Sequence, residues 1–351
     1  MRVITPAPRD AWLEILASST SSFVYQTPLG IDSLCAETGW EDVSRFYEFP
    51  NGRRIVLPLM RTTLVPHLVA VDGTSAVGSF ICRDPVGSDE IRAIVADLAS
   101  CGPLRVSLRP SPLEAQQWEA AIPDSVSRVR RVSHLLSLEG GFETVWTTRF
   151  NGQARRACRK AEKADIEIVH DTEGALVDEF HALYLLSVER WAQSRGEPRA
   201  LALWRARRRL SLAGLRRKVE LLGQQCHIWV ARVGGRPAAA IVVLQGTNAH
   251  YTLGAMDQDL AGPVRASFML QKLAIEQACE AGCRHYFMGN TGTSASLARF
   301  KEHFGAVACP FFEYRIERLP LTGIVAAARD VAGSILSIAR GGRVESASRV
   351  K

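Results

Sequence analysis

YTLGAMDQDLAGPVRASFMLQKLAIEQACEAGCRHYFMGNTGTSASLARFKEHFG, residues 251–305, is the stretch on which the reading of this chain turns. It predicts a short strand over 251–255, then a polar loop holding Gly262 and Pro263. An amphipathic helix follows over 264–281, with Phe268, Leu270, Leu273, Ala274 and Ala278 at apolar positions and Gly282 as its stop. A second strand, 285–288, leads into a Gly/Thr/Ser loop, 289–294. The last helix carries Phe300, Lys301 and Phe304 and ends at Gly305. Two helices therefore start from loops of small residues beside strands. Such starts present backbone N–H groups and the positive helix end, which suits an anionic ligand.

The order strand, loop, helix, "EAG" turn, strand, then "SLARFKEHFGA" resembles the C-terminal half of GNAT-superfamily acyltransferases. Within them it is most similar to the Fem-like branch: acetyltransferase-like proteins of envelope and polysaccharide clusters, and Fem aminoacyltransferases. Phe300-Lys301 followed by Phe304-Gly305 looks like the Fem "FK..FG" signature, and Arg155-Arg156 with Arg159, Lys160, Glu162 and Lys163 looks like that branch's "RR..RKAEK" helix. The likeness covers roughly residues 130–320. It implies an α/β (α+β) protein of two tandem GNAT-like domains, each a mixed, mostly antiparallel sheet flanked by helices. The N-terminal GNAT-like domain would span 1–140 and the acyltransferase domain 141–320, with a C-terminal helix and disordered tail at 321–351. Each half would then have its own splayed sheet, with the junction near 139–152.

A chain of 351 residues is long enough for two ordinary domains. An apolar content of 47% and near-zero mean hydropathy fit a well-packed globular protein. No run is apolar enough to cross a bilayer, and the first residues lack a signal-peptide core. The eight cysteines are scattered without a CxxC, as thiols in a reducing cytoplasm would be, and no cluster has metal-ligand spacing. The net charge of +7 is uneven. Residues 149–163 hold six cations against Glu162, and 199–218 hold eight against no acid, so the remainder is net −6. Basicity this local suits a polyanion such as coenzyme A, a nucleotide-linked lipid, tRNA or an anionic membrane; a solvated helix face is the plainer alternative.

The preceding chain predicts a helix over 9–22, a hairpin turning at Asn51-Gly52 with Pro58 marking an edge or bulge, a strand over 64–72, and αβαβ elements to residue 138. The basic helix 152–164 follows, then a strand at 166–170 and helices at 172–193 and 201–222. Three strands run through 227–255, turning at Gly234-Gly235 and Gly246-Thr247-Asn248, and a closing strand spans 311–317. The tail helix, 321–340, docks on the protein or lies on a membrane, and Asp330 disfavours the membrane.

Acyl transfer to an amine needs proximity, donors for the oxyanion and a base, so no Ser-His-Asp pattern is required. GxSxG is absent, against an α/β-hydrolase. By the Fem resemblance Lys301 would neutralise a substrate phosphate and support the transition state, with a surface lysine as the alternative. Two turns into its helix and off the Phe300–Phe304 stripe, it is expected to reach outward into a cleft. Arg190, in "SVERW", would face the cleft as in the family, or be an exposed helix partner. His250 is a candidate base or a turn histidine. Tyr251, Asp257, Asn290, Thr291, Phe300 and Glu313 are candidate substrate contacts, though Thr293 or Ser294 would also serve as a helix cap. Gly262, Pro263, Val264, Arg265, Ala266 and Ser267 stand where the GNAT pyrophosphate loop would be, matching its pattern only in part. Arg155, Arg156, Arg159, Arg208 and Arg209 form the candidate nucleic-acid or anion patch.

These residues suit an N-acyltransferase acting on an amine of a glycan, lipid-linked precursor or small metabolite, with acetyl-CoA or another acyl-CoA as donor and no metal. Aminoacyl-tRNA-dependent peptide-bond formation is the second reading, although the Fem coiled-coil insertion is missing. A non-enzymatic nucleic-acid or membrane adaptor is the third. The expected setting is the cytoplasm, at or near the inner membrane face.

Overall fold

The computed structural model describes residues 1–62, 67–69, 80–101, 104–292 and 294–318; the expected tail helix and tail lie outside them. The strands are β1 (Arg2–Ile4), β2 (Glu41–Asp42), β3 (Arg45–Glu48), β4 (Arg54–Leu57), β5 (Met60–Arg61), β6 (His67–Val69) and β7 (Arg105–Leu108). They continue as β8 (Ser127–Ser137), β9 (Glu167–Asp171), β10 (Cys226–Val233), β11 (Arg236–Gln245), β12 (Ala249–Met256), β13 (His285–Asn290) and β14 (Val307–Glu317). The helices before the junction are α1 (Arg9–Ser18), α2 (Pro28–Thr38), α3 (Ser88–Ser100) and α4 (Ala115–Ala121). After it come α5 (Gly141–Thr144), α6 (Gly152–Glu162), α7 (Val177–Arg195), α8 (Arg199–Arg209), α9 (Leu212–Leu222), α10 (Gln258–Val264), α11 (Ala266–Glu280) and α12 (Ala295–His303).

This is the expected α/β architecture of mixed, mostly antiparallel sheet flanked by helices. The two halves, however, share one sheet. Its eleven strands run β2-β5-β6-β7-β14-β8-β13-β12-β11-β10-β9, and β1-β3-β4 make a small second sheet. β8 pairs with β13 on one side and β14 on the other, while β14 also pairs with β7. So β8, from before the junction, lies among strands from after it, and β14 returns to reach the first half. Separate sheets would leave these strands as edges; sharing them removes the open edges.

The second half is buried on both faces. Ile228, Val230, Ala240, Val242 and Leu244 pack under α7 and α9 in one core. Ala231, Ala239, Ile241 and Val243 pack with α11 residues Leu270, Ala274 and Ile275 in another. That is why β11 reads as the unbroken apolar run AAAIVVL rather than alternating. In the first half, Trp118 stacks between Phe80 (4.6 Å) and Tyr314 (5.9 Å), so a residue of β14 completes that core.

Turn chemistry follows the sequence. Gly234 and Gly235, at φ 55° and 72°, make the two-residue β10–β11 hairpin in which Val233 faces Arg236. Pro58 ends β4 at Leu57, and the chain changes sheets before β5, because proline has no ladder N–H. The expected 264–281 helix is α11, which starts at Ala266 after left-handed Arg265 (φ 63°), and the loop expected before it is the short helix α10. One expected helix proves broken. The 201–222 segment becomes α8 and α9, because Ser211 accepts from Gly214 N at 3.0 Å and starts a new helix. Ser211→Ala should cost about 1 kcal/mol by removing that cap, read as a shift in the urea midpoint.

Candidate functional site

β12 and β13 are parallel neighbours that pair only at Ala249–Tyr286 and His250–Phe287, then part. Two local irregularities produce the opening. On β12, Tyr251 faces Val243 and Leu253 faces Val242, so Thr252 is an extra bulged residue; its hydroxyl donates to Val242 O at 3.1 Å. A bulge bends its strand and leaves the extra residue out of the ladder. On β13, Gly289 takes φ 73° where the pairing with β8 shifts register. The result is a wedge between the two strands.

Lys301 of α12 reaches into the protein at this point, not outward as its helical position suggested. Its side chain is buried, and Nζ donates to Gly289 O (2.8 Å), Asn290 O (3.0 Å) and Thr291 Oγ1 (3.2 Å). An ammonium has three N–H donors, and all three are used. Two of them hold main-chain carbonyls at the end of β13, where the strand has left its parallel neighbour. Thr291 Oγ1 in turn is hydrogen-bonded to His134 Nδ1 at 2.7 Å, and His134 Nε2 stands 3.5 Å from Glu302. Burial lowers the Lys301 pKa to about 7. Burial, then the nearby lysine charge, lowers His134 as well.

His250 lies on β12 at the last paired position, enclosed by Phe23, Tyr25 and Phe287. Its Nε2 has no partner among the described residues, and burial lowers its pKa to about 3, so the ring is neutral. Beside this cluster Lys218 pairs with Glu37 at 2.6 Å and sits over the Tyr25 ring. Burial opposes the Lys218 charge, but Tyr25 and Glu37 outweigh it and raise its pKa.

The other end of β12 is gripped by α7. Arg190 Nη1 donates to Met256 O at 2.8 Å, and Ser187 Oγ both donates to Met256 O and accepts from Met256 N. Asp257 caps α10 by accepting from Asp259 N and Leu260 N. Gly262, Pro263 and Val264 lie inside α10, so this crossover is a short helix rather than a glycine-rich loop. Arg265 is left-handed, and Ala266 and Ser267 begin α11, whose N-terminus no side chain caps. Tyr251 lies over Gly254, where a Cβ would come within 1.9 Å of its hydroxyl.

The wedge thus gathers His250, Tyr251, Asn290, Thr291 and Lys301, with Arg190, Asp257 and residues 262–267 at the far end of β12. Phe300 packs on Phe268 and Phe304, both at 5.2 Å between ring centres. Glu313 stands apart, its carboxylate held by Arg109, Arg131 and Arg315 at the β7–β14–β8 joint. Arg155 spends its guanidinium on the carbonyls of Trp146, Thr147 and Phe150, so it shares no free face with Arg159; Arg156 and Arg159 are exposed. Arg208 stacks over Trp204 at 5.0 Å, and Arg209 is exposed. His134, Thr252 and the Lys218–Glu37 pair were not found from sequence. His134 meets Lys301 only through the shared sheet, and no spacing signals a partner so distant in the chain.

Residues 148–302 match the family described as Acetyltransferase (GNAT) domain. That stretch is a GNAT domain. The domain makes the chain an acyltransferase by class, and its fold is similar to that of FemX. Among solved structures, FemX matches with TM-score 0.65 at 10% identity, over 93% of this chain and 100% of that one. A conserved protein of unknown function from Bacteroides thetaiotaomicron matches with TM-score 0.54 at 12% identity, over 89% and 99%. A tandem GNAT protein from the clavulanic acid biosynthesis pathway matches with TM-score 0.50 at 12% identity, over 90% and 98%. No curated protein matches the chain in sequence. Within the GNAT domain, the wedge between β12 and β13 and the start of α11 lie on one crossover unit.

Proposed function

We propose that this chain is an N-acyltransferase that carries an acyl group from an acyl-CoA, acetyl-CoA first, to an amine of a glycan, lipid-linked precursor or small metabolite. The halves 1–140 and 141–320 act as one unit, at or near the inner face of the membrane. The observation that carries this reading is the bulge at Thr252 beside the parting of β12 and β13. A bulge there turns main-chain amides out of the ladder toward the gap, where they can donate to a thioester oxygen as it becomes an oxyanion. The uncapped start of α11, fifteen residues long, supports a diphosphate beyond it. With the donor so held, the amine attacks the carbonyl carbon, the thiolate leaves, and the amine proton passes to solvent or a base. His250 is neutral, as a base must be, but enclosed.

Aminoacyl-tRNA as donor is the second reading, because the crossover is filled by α10 and its amides are inside a helix. The experiment that separates them follows thiol release from a panel of acyl-CoAs with amine acceptors, alongside binding of charged tRNA over a salt series. Thiol release coupled to acyl-amine formation is the expected outcome. Tight tRNA binding that falls steeply with salt, without thiol release, would replace the first reading by the second. Neither result with any donor would sink both.

A further inference from the structure

The hairpin of α7 and α8 shows the solvent an unusual surface. Leu186 (48% exposed) and Trp191 (38%) lie on α7, and Leu201 (41%) and Trp204 (55%) on α8, four of the ten most exposed large apolar side chains among the described residues. The inner face of α8 is satisfied, since Ala202, Leu203 and Ala206 are buried in the core. Leu201, Trp204 and Arg208, at spacings of three and four, therefore make an outer stripe that touches no core. An open groove of about 670 Å³ runs beside it, lined by Leu185, Glu189, Arg199, Leu203, Trp204 and Arg208 among others.

The unpaired charge on this surface has one sign. Residues 185–209 hold seven arginines and two glutamates. Both glutamates are taken, Glu189 by Arg199 and Glu197 by Arg195 and Arg205. Arg190 is bonded to the Met256 carbonyl. Arg207, Arg208 and Arg209 are left at the end of α8 with no carboxylate partner among the described residues. A helix C-terminus tolerates such cations, but its dipole does not require three of them.

We infer that the outer face of α8 is a docking surface for an anionic lipid bilayer, with Leu201 and Trp204 seated at the headgroup–acyl boundary and Arg207, Arg208 and Arg209 on lipid phosphates. Tryptophan belongs at that depth because one edge of its ring is apolar and the other donates. Guanidinium forks match phosphate oxygens in pairs. The exposed leucines select a bilayer over a nucleic acid. Aliphatic side chains gain nothing from stacking on bases, whereas an apolar stripe flanked by arginine is what an interfacial helix requires. Here the helix is already folded and held by the protein behind it, so docking carries no cost of forming it. The inference stands apart from the acyl-transfer reading and survives its failure.

The test is co-sedimentation of the full chain with vesicles of phosphatidylcholine alone, or of phosphatidylcholine with phosphatidylglycerol. Binding is expected only to the second kind. The pair Leu201→Ser and Trp204→Ser should weaken it by about tenfold or more with circular dichroism unchanged. Arg207→Glu, Arg208→Glu and Arg209→Glu together should abolish it. Arg156→Glu with Arg159→Glu, on the exposed basic face of α6, should leave it as in the parent chain. Failure of the parent chain to sediment with phosphatidylglycerol vesicles overturns the inference. So does equal loss from the α6 changes, which reduces the effect to net charge. So does indifference to the Leu201 and Trp204 changes. Binding of tRNA that the α8 changes remove, with vesicles ignored, assigns the face to a nucleic acid instead.

Discussion

Lys301→Met is expected to lower stability by about 3 kcal/mol and to cut turnover about a hundredfold or more. The substitution keeps the packed stem but removes the amine that bonds Gly289 O, Asn290 O and Thr291 Oγ1. Those acceptors are buried with Lys301, and a buried acceptor left without a donor costs roughly 1–3 kcal/mol. Relief of a buried charge offsets part of the loss, which is why the total stays below the sum. Without the amine, the end of β13 is free to shift, and the wedge loses its shape. Lys301→Arg should restore little, because a planar fork does not fit a site built around one nitrogen. The pH dependence gives a second readout. With the folded pKa near 7 and an ordinary value of 10.5, the unfolded chain binds more protons between those limits. The Lys301 contribution is therefore fully present above about 10.5 and is lost as pH falls toward 7. Stability of the parent chain should rise across that window, and the methionine variant should lack that part of the slope. Equal urea midpoints for parent and variant at pH 8 would remove Lys301 from this structural role.

Glu313→Gln should cost about 3 kcal/mol, because it leaves three guanidinium groups around an uncharged amide. Arg109 Nε lies 2.8 Å from the Glu313 carboxylate, Arg131 Nη2 2.8 Å and Arg315 Nε 2.7 Å. Arg131 is on β8, Glu313 on β14, and Arg109 directly follows β7, so one carboxylate ties three adjacent strands. Burial raises the Glu313 pKa, but the arginines, Arg109 foremost, outweigh it and hold the carboxyl at about 2. A carboxyl whose folded pKa is depressed contributes stability that is present above its ordinary value of 4.5 and is lost as pH falls through about 2. The gap between parent and Glu313→Gln should thus be full at pH 7 and close toward pH 2. Parallel stability curves across that range would show that the arginines are satisfied without the carboxylate.

What the sequence revealed of the fold was whatever local chemistry determines. The Gly234-Gly235 hairpin, the stop at Gly282 and the βαβ order of 249–290 are written in turn residues and periodicity, and the structure has them. The sharing of β8 and β14 between halves is not written there, because strand partners far apart in the chain leave no mark on local spacing. Lys301 shows the same division at the level of one side chain. Its motif and helix position were legible, but the direction of its amine depends on carbonyls freed where β12 and β13 part. Glu313 and Arg155 were legible as charges, and only the fold shows that each is already occupied. Ser211 was open to a sharper reading, since a serine three residues before Gly214 is a cap signal inside the supposed helix.

The shared strands also set a timetable for synthesis. β7 leaves the ribosome early, but its neighbour β14 is the last described strand, about two hundred residues later. At 5–20 residues per second, the first half waits roughly 10–40 s for its missing strand. During that time β7 has an open flank and Trp118 lacks the ring of Tyr314 on one side. The nascent chain is therefore most exposed to wrong pairing before residue 307 emerges, and a message cut short there would release a protein with two unpaired edges, at β7 and β8.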